Sequence, residues 1–469
     1  MLHLANMAMR EGKRFVALMP TIVTIRTRVA STRKRAPPGS SVEEGLEMSR
    51  SVTPAVLASA LRLAIAAAVV INVSTAAEAA TYYVSLSGSD ANSCAASQTI
   101  GTPKRSIRNA VSCLRPGDTL YVRGGVYTAS TDVIDNATPS GTSSSTRVTI
   151  SGYPGESVTL RPPNGVHAFL LTNSQQYIET RNLTLDYVND TTDREGIYVS
   201  GGAHHIRFFQ VEVKNANNFG VVFARGSGGF NEFIDGAVHH SGDLAGTDIT
   251  RGHGFYVSCG DNLIEGTHVY DNEGYGLHFY DNGGDKNVAR NVIRQNRIYN
   301  NGLSHTTAYG VVLDWGADNL VYNNLIFGNN SGVFVYAYSS NAQVYNNTIV
   351  GNKYDGVTLQ YYSSAPIIRN NIVYGNGAGI VDRAGLSGTP VIDHNVTANP
   401  LFVDRSSNDF RLTANSPARD TGTSVATVQR DFAGIGRPQN GVYDIGAFEY
   451  STGAAGPQAV TGVKVYRSN

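Results

Sequence analysis

The sequence has no excess of either charge: Lys and Arg number 37, Asp and Glu 37. So balanced a chain presents no basic footprint for nucleic acid and no cationic face for an anionic membrane. Cysteine is scarce, with three in 469 residues, and none stands in a zinc-type Cys/His spacing. Tryptophan occurs once. The apolar run at residues 63–73 is too short for a confident membrane span. Helix-length segments between the short apolar strands are also missing, and that excludes βαβ units.

What is abundant is glycine, 50 of 469 residues, with many Asn and 25 Tyr. Such a composition favours a turn-rich β protein. The first 80 residues differ from the rest. Residues 1–47 are basic and irregular. From Met48 the chain reads as a secretory signal: Arg50 and Arg62 precede the apolar run, and Ala77-Glu78-Ala79 is a small-x-small cleavage site. Translation is therefore expected to start at Met48, with 48–79 removed on export and no membrane association afterwards; the alternative is a real, disordered extension over 1–47 with an uncleaved anchor. In an exported protein Cys94 and Cys113 are a plausible disulfide, and Cys259 reads as a small buried hydrophobe.

A glycine followed by an apolar-x-apolar triplet recurs at Gly196, Gly220, Gly254, Gly276, Gly310, Gly332, Gly356 and Gly379. Most intervals are 22–24 residues, and the two long ones, 220→254 and 276→310, exceed them by about a dozen residues. Between the glycines lies a second motif, seen as LVYNNLIFGNN (320–330), QVYNNTIVGN (343–352) and IIRNNIVYGN (367–376). A repeat of this length built from short strands predicts an all-β fold, a single parallel β-helix. Its Asn pairs, Asn323-Asn324, Asn346-Asn347 and Asn370-Asn371, are expected to be structural, stacking from coil to coil. Residues 80–147, with a short amphipathic helix in PKRSIRNAVSCL, read as an N-terminal cap. The coils run over 148–385, a non-repeat C-terminal module over 386–450, and a loose tail over 451–469.

The coils, with TYYVSLSGSD…PGDTLYVRGGVY before them and NPLFVD…DFRL…SPARDTG…YDIGAFEY after them, resemble secreted bacterial right-handed parallel β-helix proteins of the pectin-lyase-like superfamily. The resemblance covers about residues 81–450. It implies a right-handed solenoid and export, to the cell surface, periplasm or medium. For activity it implies a range: polysaccharide lyases, glycoside hydrolases, epimerases and members with no assigned reaction. Gly252-His253-Gly254 is similar to the G-H-G of polygalacturonases, but their Asn-Thr-Asp, Asp-Asp and Arg-Ile-Lys partners are missing. The aspartate cluster of calcium-dependent pectate lyases is missing too, so no cofactor is expected and calcium has no clear ligand set.

Alternation from each anchor glycine places one row of side chains outward at the second position, including Tyr256 and His278, and another at the fourth, including Tyr280, Asp314 and Tyr336. Both long intervals open before an anchor glycine, so their loops should emerge at one corner. The first carries His239, His240, Asp243, Asp248, Arg251 and His253, and the second His305 and Tyr309. Aromatic rings mixed with a carboxylate and imidazoles suit sugars. The expected substrate is an acidic polysaccharide, cleaved by β-elimination or epimerised at C5 by a monomer. His278 or Tyr256 would be the base, His253 the reserve candidate, and Arg251 the clamp on the uronate. Tyr280, Asp314, Tyr336, His240, Asp248 and His305 would hold the substrate. Two other readings stay open: a non-catalytic glycan-binding or surface-structural solenoid, and a metal site at His239, His240 and His253.

Overall fold

The computed structural model describes residues 78–242, 250–281, 287–383 and 385–452. Residues 1–47, nearly all of the signal segment and most of the tail lie outside them, as do Asp243 and Asp248.

From Val221 to Tyr374 each coil is three short strands joined by three turns; the coils before it merge the second and third into the long strands Ile178–Asp186 and Arg207–Lys214. In one coil the three are Phe255–Val257, Leu263–Glu265 and His268–Tyr270; in the next, Leu277–Phe279, Val292–Arg294 and Arg297–Tyr299. Neighbouring coils pair in parallel, with Tyr256 opposite His278, Ile264 opposite Ile293 and Val269 opposite Ile298. Successive side chains of a strand point to opposite faces, so Phe255, Val257, Ile264 and Val269 all enter the core, fully buried. Each such side chain contributes about 1.5–3 kcal/mol by leaving water. The first strands stack into a nine-stranded sheet, and the other two of each coil join the N-terminal strands in a 20-stranded one.

The anchor glycines are set by close approach rather than by a left-handed backbone. A Cβ on Gly254 would lie 2.6 Å from the carbonyl oxygen of Gly276, and one on Gly276 would lie 2.5 Å from that of Gly310. Coils stack through these positions backbone on backbone, and no side chain fits.

At the corners the chain turns inside the protein, where backbone groups lose their strand partners and cannot reach water. Asparagine answers this at every corner. One ladder runs Asn296, Asn324, Asn347, Asn371, Asn395; a second runs Asn272, Asn301, Asn329, Asn352, Asn376; a third runs Asn231, Asn262, Asn291, Asn319. The Asn347 Oδ1 accepts from both the backbone N–H (3.0 Å) and the side-chain amide (2.9 Å) of Asn324. Its own amide donates to the Val321 carbonyl (2.9 Å) and to Asn371 Oδ1 (3.0 Å).

The first Asn of each pair does something else. Asn323, Asn346 and Asn370 sit in left-handed backbone, at φ 52, 50 and 57. Their amides donate outward, to the carbonyls of Arg430, Asp444 and Thr423. They thus fasten the C-terminal module to the flank of the coils, where Phe410, Ile445 and Phe448 pack on Leu325, Val350 and Ile372. A fully buried ion pair, Arg437–Glu449 at 2.5 Å, ties the module internally. At the other end the helix Ile107–Val111 lays Ile107, Ala110 and Val111 on the core, and Cys94 is bonded to Cys113. The nine-stranded face is left uncovered by the module.

Asn347→Ala would leave the Asn324 N–H buried without a partner and would remove the side-chain donor to the Val321 carbonyl, while Asn371 Oδ1 keeps the Asn347 backbone N–H. Each orphaned group costs about 1–3 kcal/mol. Urea denaturation should show a loss of at least about 2 kcal/mol, and a change below about 0.5 kcal/mol would mean that the ladder is not needed for stability.

Candidate functional site

The nine-stranded face carries a cavity of about 800 Å3. Its floor is the two outward rows: Tyr256, His278, Val312 and Phe334 at the second position, Tyr280, Asp314 and Tyr336 at the fourth. Its wall comes from the residue just before each anchor glycine, among them His253, Tyr275, Tyr309 and Asp355. Thr250 from the first long loop and Thr306 and Thr307 from the second complete it, so both insertions open onto one cavity. Their position before an anchor glycine puts them at one corner.

His278 is on the outward side, as the alternation requires, yet its ring is hemmed in. It lies edge-on to His253 (5.0 Å) and Tyr256 (5.4 Å) and is stacked on Tyr280 at 5.3 Å. Its Nδ1 is buried with no hydrogen-bond partner. Burial pushes its pKa down to about 3. A neutral imidazole so depressed is a weak base. His253 is 1% exposed and sandwiched between Phe219 and Tyr275. The Tyr275 N–H donates to its Nδ1 (3.0 Å), which places the ring proton on Nε2, and burial holds its pKa well below the usual value. His253 braces the wall.

Asp314 behaves oppositely. Its side chain is 5% exposed, and Oδ1 is buried without a partner between the Tyr280 and Tyr336 positions. Burial pushes its pKa up to about 7, against a smaller opposing effect of the Trp315 N–H. A carboxyl half-ionised near neutrality is the best-poised proton acceptor in the cavity. The phenols of Tyr256, Tyr280 and Tyr336 are all raised by burial and by nearby carboxylate charge, and so remain protonated donors.

Other expected residues lie elsewhere. His240 follows the strand Ala237–His239 of the 20-stranded sheet, because the first insertion starts only after that strand; its Nδ1 meets His239 Nδ1 at 2.7 Å. His239 turns its other nitrogen to Glu212 (3.1 Å), so His239, His240 and His253 do not converge on a metal. Arg251 points away to Asp193 at 2.5 Å, both side chains being largely exposed, and does not line the cavity. His305 sits behind the wall, buried, with Nε2 3.7 Å from Glu273.

Sequence reasoning missed one chain of contacts inside the cavity. Arg383 is paired with Asp355 (2.5 Å); Thr358 donates to Asp355 (2.8 Å), and Tyr309 to Thr358 (3.2 Å). The signal was available. Arg383 is the fourth position after Gly379, opposite Gln360, and so extends the Tyr280–Asp314–Tyr336 row. Asp355 stands before Gly356 as His253 stands before Gly254. Trp315, the residue after Asp314, was also passed over; its ring lies tilted against that of Tyr338 (4.4 Å).

Residues 238–396 match the family model described as right handed beta helix region. No curated protein matches the sequence. Among solved structures, the pectate lyase Pel9A is 18% identical, with a TM-score of 0.57 over 79% of this chain and 96% of that one. A rhamnogalacturonan lyase is 15% identical (TM-score 0.48; 76% and 99% covered). The A-module of the mannuronan C-5 epimerase AlgE4 of Azotobacter vinelandii is 18% identical (TM-score 0.42; 60% and 89%). The chain has the right-handed parallel β-helix, pectin-lyase-like fold. Identities this low speak for fold alone.

The Asp314 carboxyl has a consequence for stability. Between its ordinary value of 3.8 and about 7, the folded state holds a proton that the unfolded state has released. Stability from this group therefore falls as pH rises through that window. The depressed His278 acts at the acid side, costing stability as pH falls from 6.5 towards about 3. Asp314→Asn removes only the first slope. It should unfold at a higher temperature than wild type near about pH 8 and lose that advantage near about pH 4. Parallel melting curves across pH would refute the burial-driven shift.

Proposed function

We propose that the chain is an exported carbohydrate-active enzyme that binds a polysaccharide in this cavity and acts on it as a lyase. The observation that carries the reading is Asp314, a buried carboxyl with a pKa near 7 set among phenols in an open, aromatic-lined cavity. Asp314 replaces His278 as the base. It removes the proton at C5, next to the sugar carboxylate; the electron pair forms the C4=C5 double bond, the C4–O bond breaks, and Tyr280 returns a proton to the departing oxygen. Arg383, which lines the cavity, takes over from Arg251 as the partner of the carboxylate. The pectate lyase Pel9A shows that this fold can carry a lyase site. Epimerisation at C5 shares the first step and differs only in returning the proton to the opposite face.

Glycoside hydrolysis fits less well. It needs two carboxyls about 5–9.5 Å apart. Asp314 and Asp355 lie two coils apart, about 9.6 Å along the axis, and five positions apart along the strand, about 16 Å. A non-catalytic glycan-binding protein is the second reading, favoured by the aromatic lining and by the engagement of Arg383 with Asp355.

Purified protein should be offered a panel of uronate polymers, with product unsaturation followed by ultraviolet absorbance. Asp314→Asn should slow turnover about a hundredfold or more, while His278→Ala stays within about tenfold of wild type. The single tryptophan, Trp315, reports binding independently through its fluorescence. Saturable quenching with no product on any polymer would favour the binding protein, and full activity in Asp314→Asn would remove Asp314 as base.

Export is part of the reading, since disulfides such as Cys94–Cys113 persist in oxidising compartments. Protein recovered from the natural host should begin near Ala80, and its intact mass should rise by two hydrogen atoms on reduction. A chain starting at residue 1, with free Cys94 and Cys113, would argue against export.

A further inference from the structure

A second cavity, of about 630 Å3, lies on another flank of the solenoid, between the third strands of several coils and the start of the C-terminal module. It falls within the range of about 300–1,000 Å3 typical of ligand clefts. Its charged lining is of one sign: Arg297 from the coil strand Arg297–Tyr299 and Arg405 from the module, with no acidic residue among the lining. This stands out in a chain with 37 basic and 37 acidic residues, where nearby arginines are engaged. Arg294 pairs with Glu265 at 2.7 Å, and Arg411 with Asp409 at 2.5 Å. Among the described residues neither Arg297 nor Arg405 takes part in an ion pair. The adjacent Asp404 is no partner, because its carboxylate accepts from the backbone and hydroxyl of Ser406 and from the Ser407 hydroxyl.

Both guanidinium groups are held in place by means other than charge. Arg297 lies over the Phe432 ring at 4.8 Å, and Arg405 over Tyr374 at 5.2 Å. Arg405 also rests on the turn glycines: a Cβ on Gly375 would come within 2.6 Å of its Nη2. Two positioned forks with no anion between them form a receptor for an oxyanion. Around them are His268, Asn300, Ser407 and Asn408, side chains that bond hydroxyl groups. Burial presses on the Arg297 charge, lowering its pKa, and a bound anion would relieve that cost.

We infer that this cleft is a second saccharide site, in which Arg297 and Arg405 hold the carboxylate or sulfate of an acidic sugar and the polar rim holds its hydroxyls. The inference rests on the reading of the chain as glycan-acting. It would let one molecule grip a polymer on a flank that the catalytic cavity does not reach.

Calorimetric titration of the whole protein separates the two readings, because Trp315 is the neighbour of Asp314, which lines the first cavity, and is not among the lining of the second. The probes are a short uronate oligosaccharide, a sulfated oligosaccharide and sodium sulfate. Wild type should bind an acidic oligosaccharide at a site that salt weakens and that leaves Trp315 fluorescence unchanged. Arg405→Gln, at an exposed position where folding is not at risk, should weaken that site about tenfold or more. Arg297→Gln should do the same once its melting temperature shows it folded. Cavity variants such as Tyr336→Ala should leave the site intact. In wild type, binding at this site with none at the cavity would sink the lyase reading and spare the inference. Unchanged calorimetry in Arg405→Gln would overturn it. So would sulfate binding as tight as that of both oligosaccharides, which would mark an oxyanion site without a sugar.

Discussion

The structure depends on how a solenoid turns its corners. A coil closed by three strands must bend three times within a few residues, and at each bend backbone groups are buried away from both strand partners and water. Asparagine side chains supply the missing partners, each accepting from one neighbouring coil and donating to the other. Because each rung satisfies its neighbour, the ladders hold coil to coil at the corners as the strands do along the faces. The same pairs explain how the C-terminal module is attached. One Asn of the pair enters the ladder and the other, in left-handed backbone, donates to the module.

Held this way, the scaffold presents straight rows of side chains, and chemistry follows from which row is covered. Where the cavity wall stands beside these rows, the side chains of the floor lose part of their contact with water. The same burial then acts in opposite directions on different acids and bases. It strips His278 and His253 of their charge and raises Asp314 until it exchanges a proton near neutrality. The cavity therefore gains an acid–base group from a residue whose type alone suggested only hydrogen bonding. On the flank beside the module, two arginines that form no ion pair among the described residues face a separate cleft.

The repeat was legible because a glycine recurs every 22–24 residues and strand alternation needs only local rules. Those rules put Tyr256 beside His278, and the structure pairs them. The Asn-Asn ladder could be read from three consecutive coils, and the Gly-Asn that ends the same motifs held Asn329, Asn352 and Asn376 of the second, whereas the third, Asn231 to Asn319, uses single Asn residues in less regular surroundings. Rows could be written down, but not which rows would be enclosed. His240, Arg251 and His305 lie close in sequence to the cavity wall and still miss the cavity. A loop's direction is decided by what it packs on, and Arg251 found Asp193.

What the sequence by itself determined is the solenoid: its period, its inward residues, its anchor glycines and the corner from which both loops arise. These depend on backbone geometry and on the removal of apolar side chains from water, and both act through near neighbours. The tertiary structure alone decided which groups carry charge. A pKa depends on how much solvent remains around a side chain once every loop is in place, and Asp314, Asp355 and Arg383 come from three different coils. Proximity across coils and loss of water are properties of the assembled surface, so the raised carboxyl and the paired arginine could be named only there.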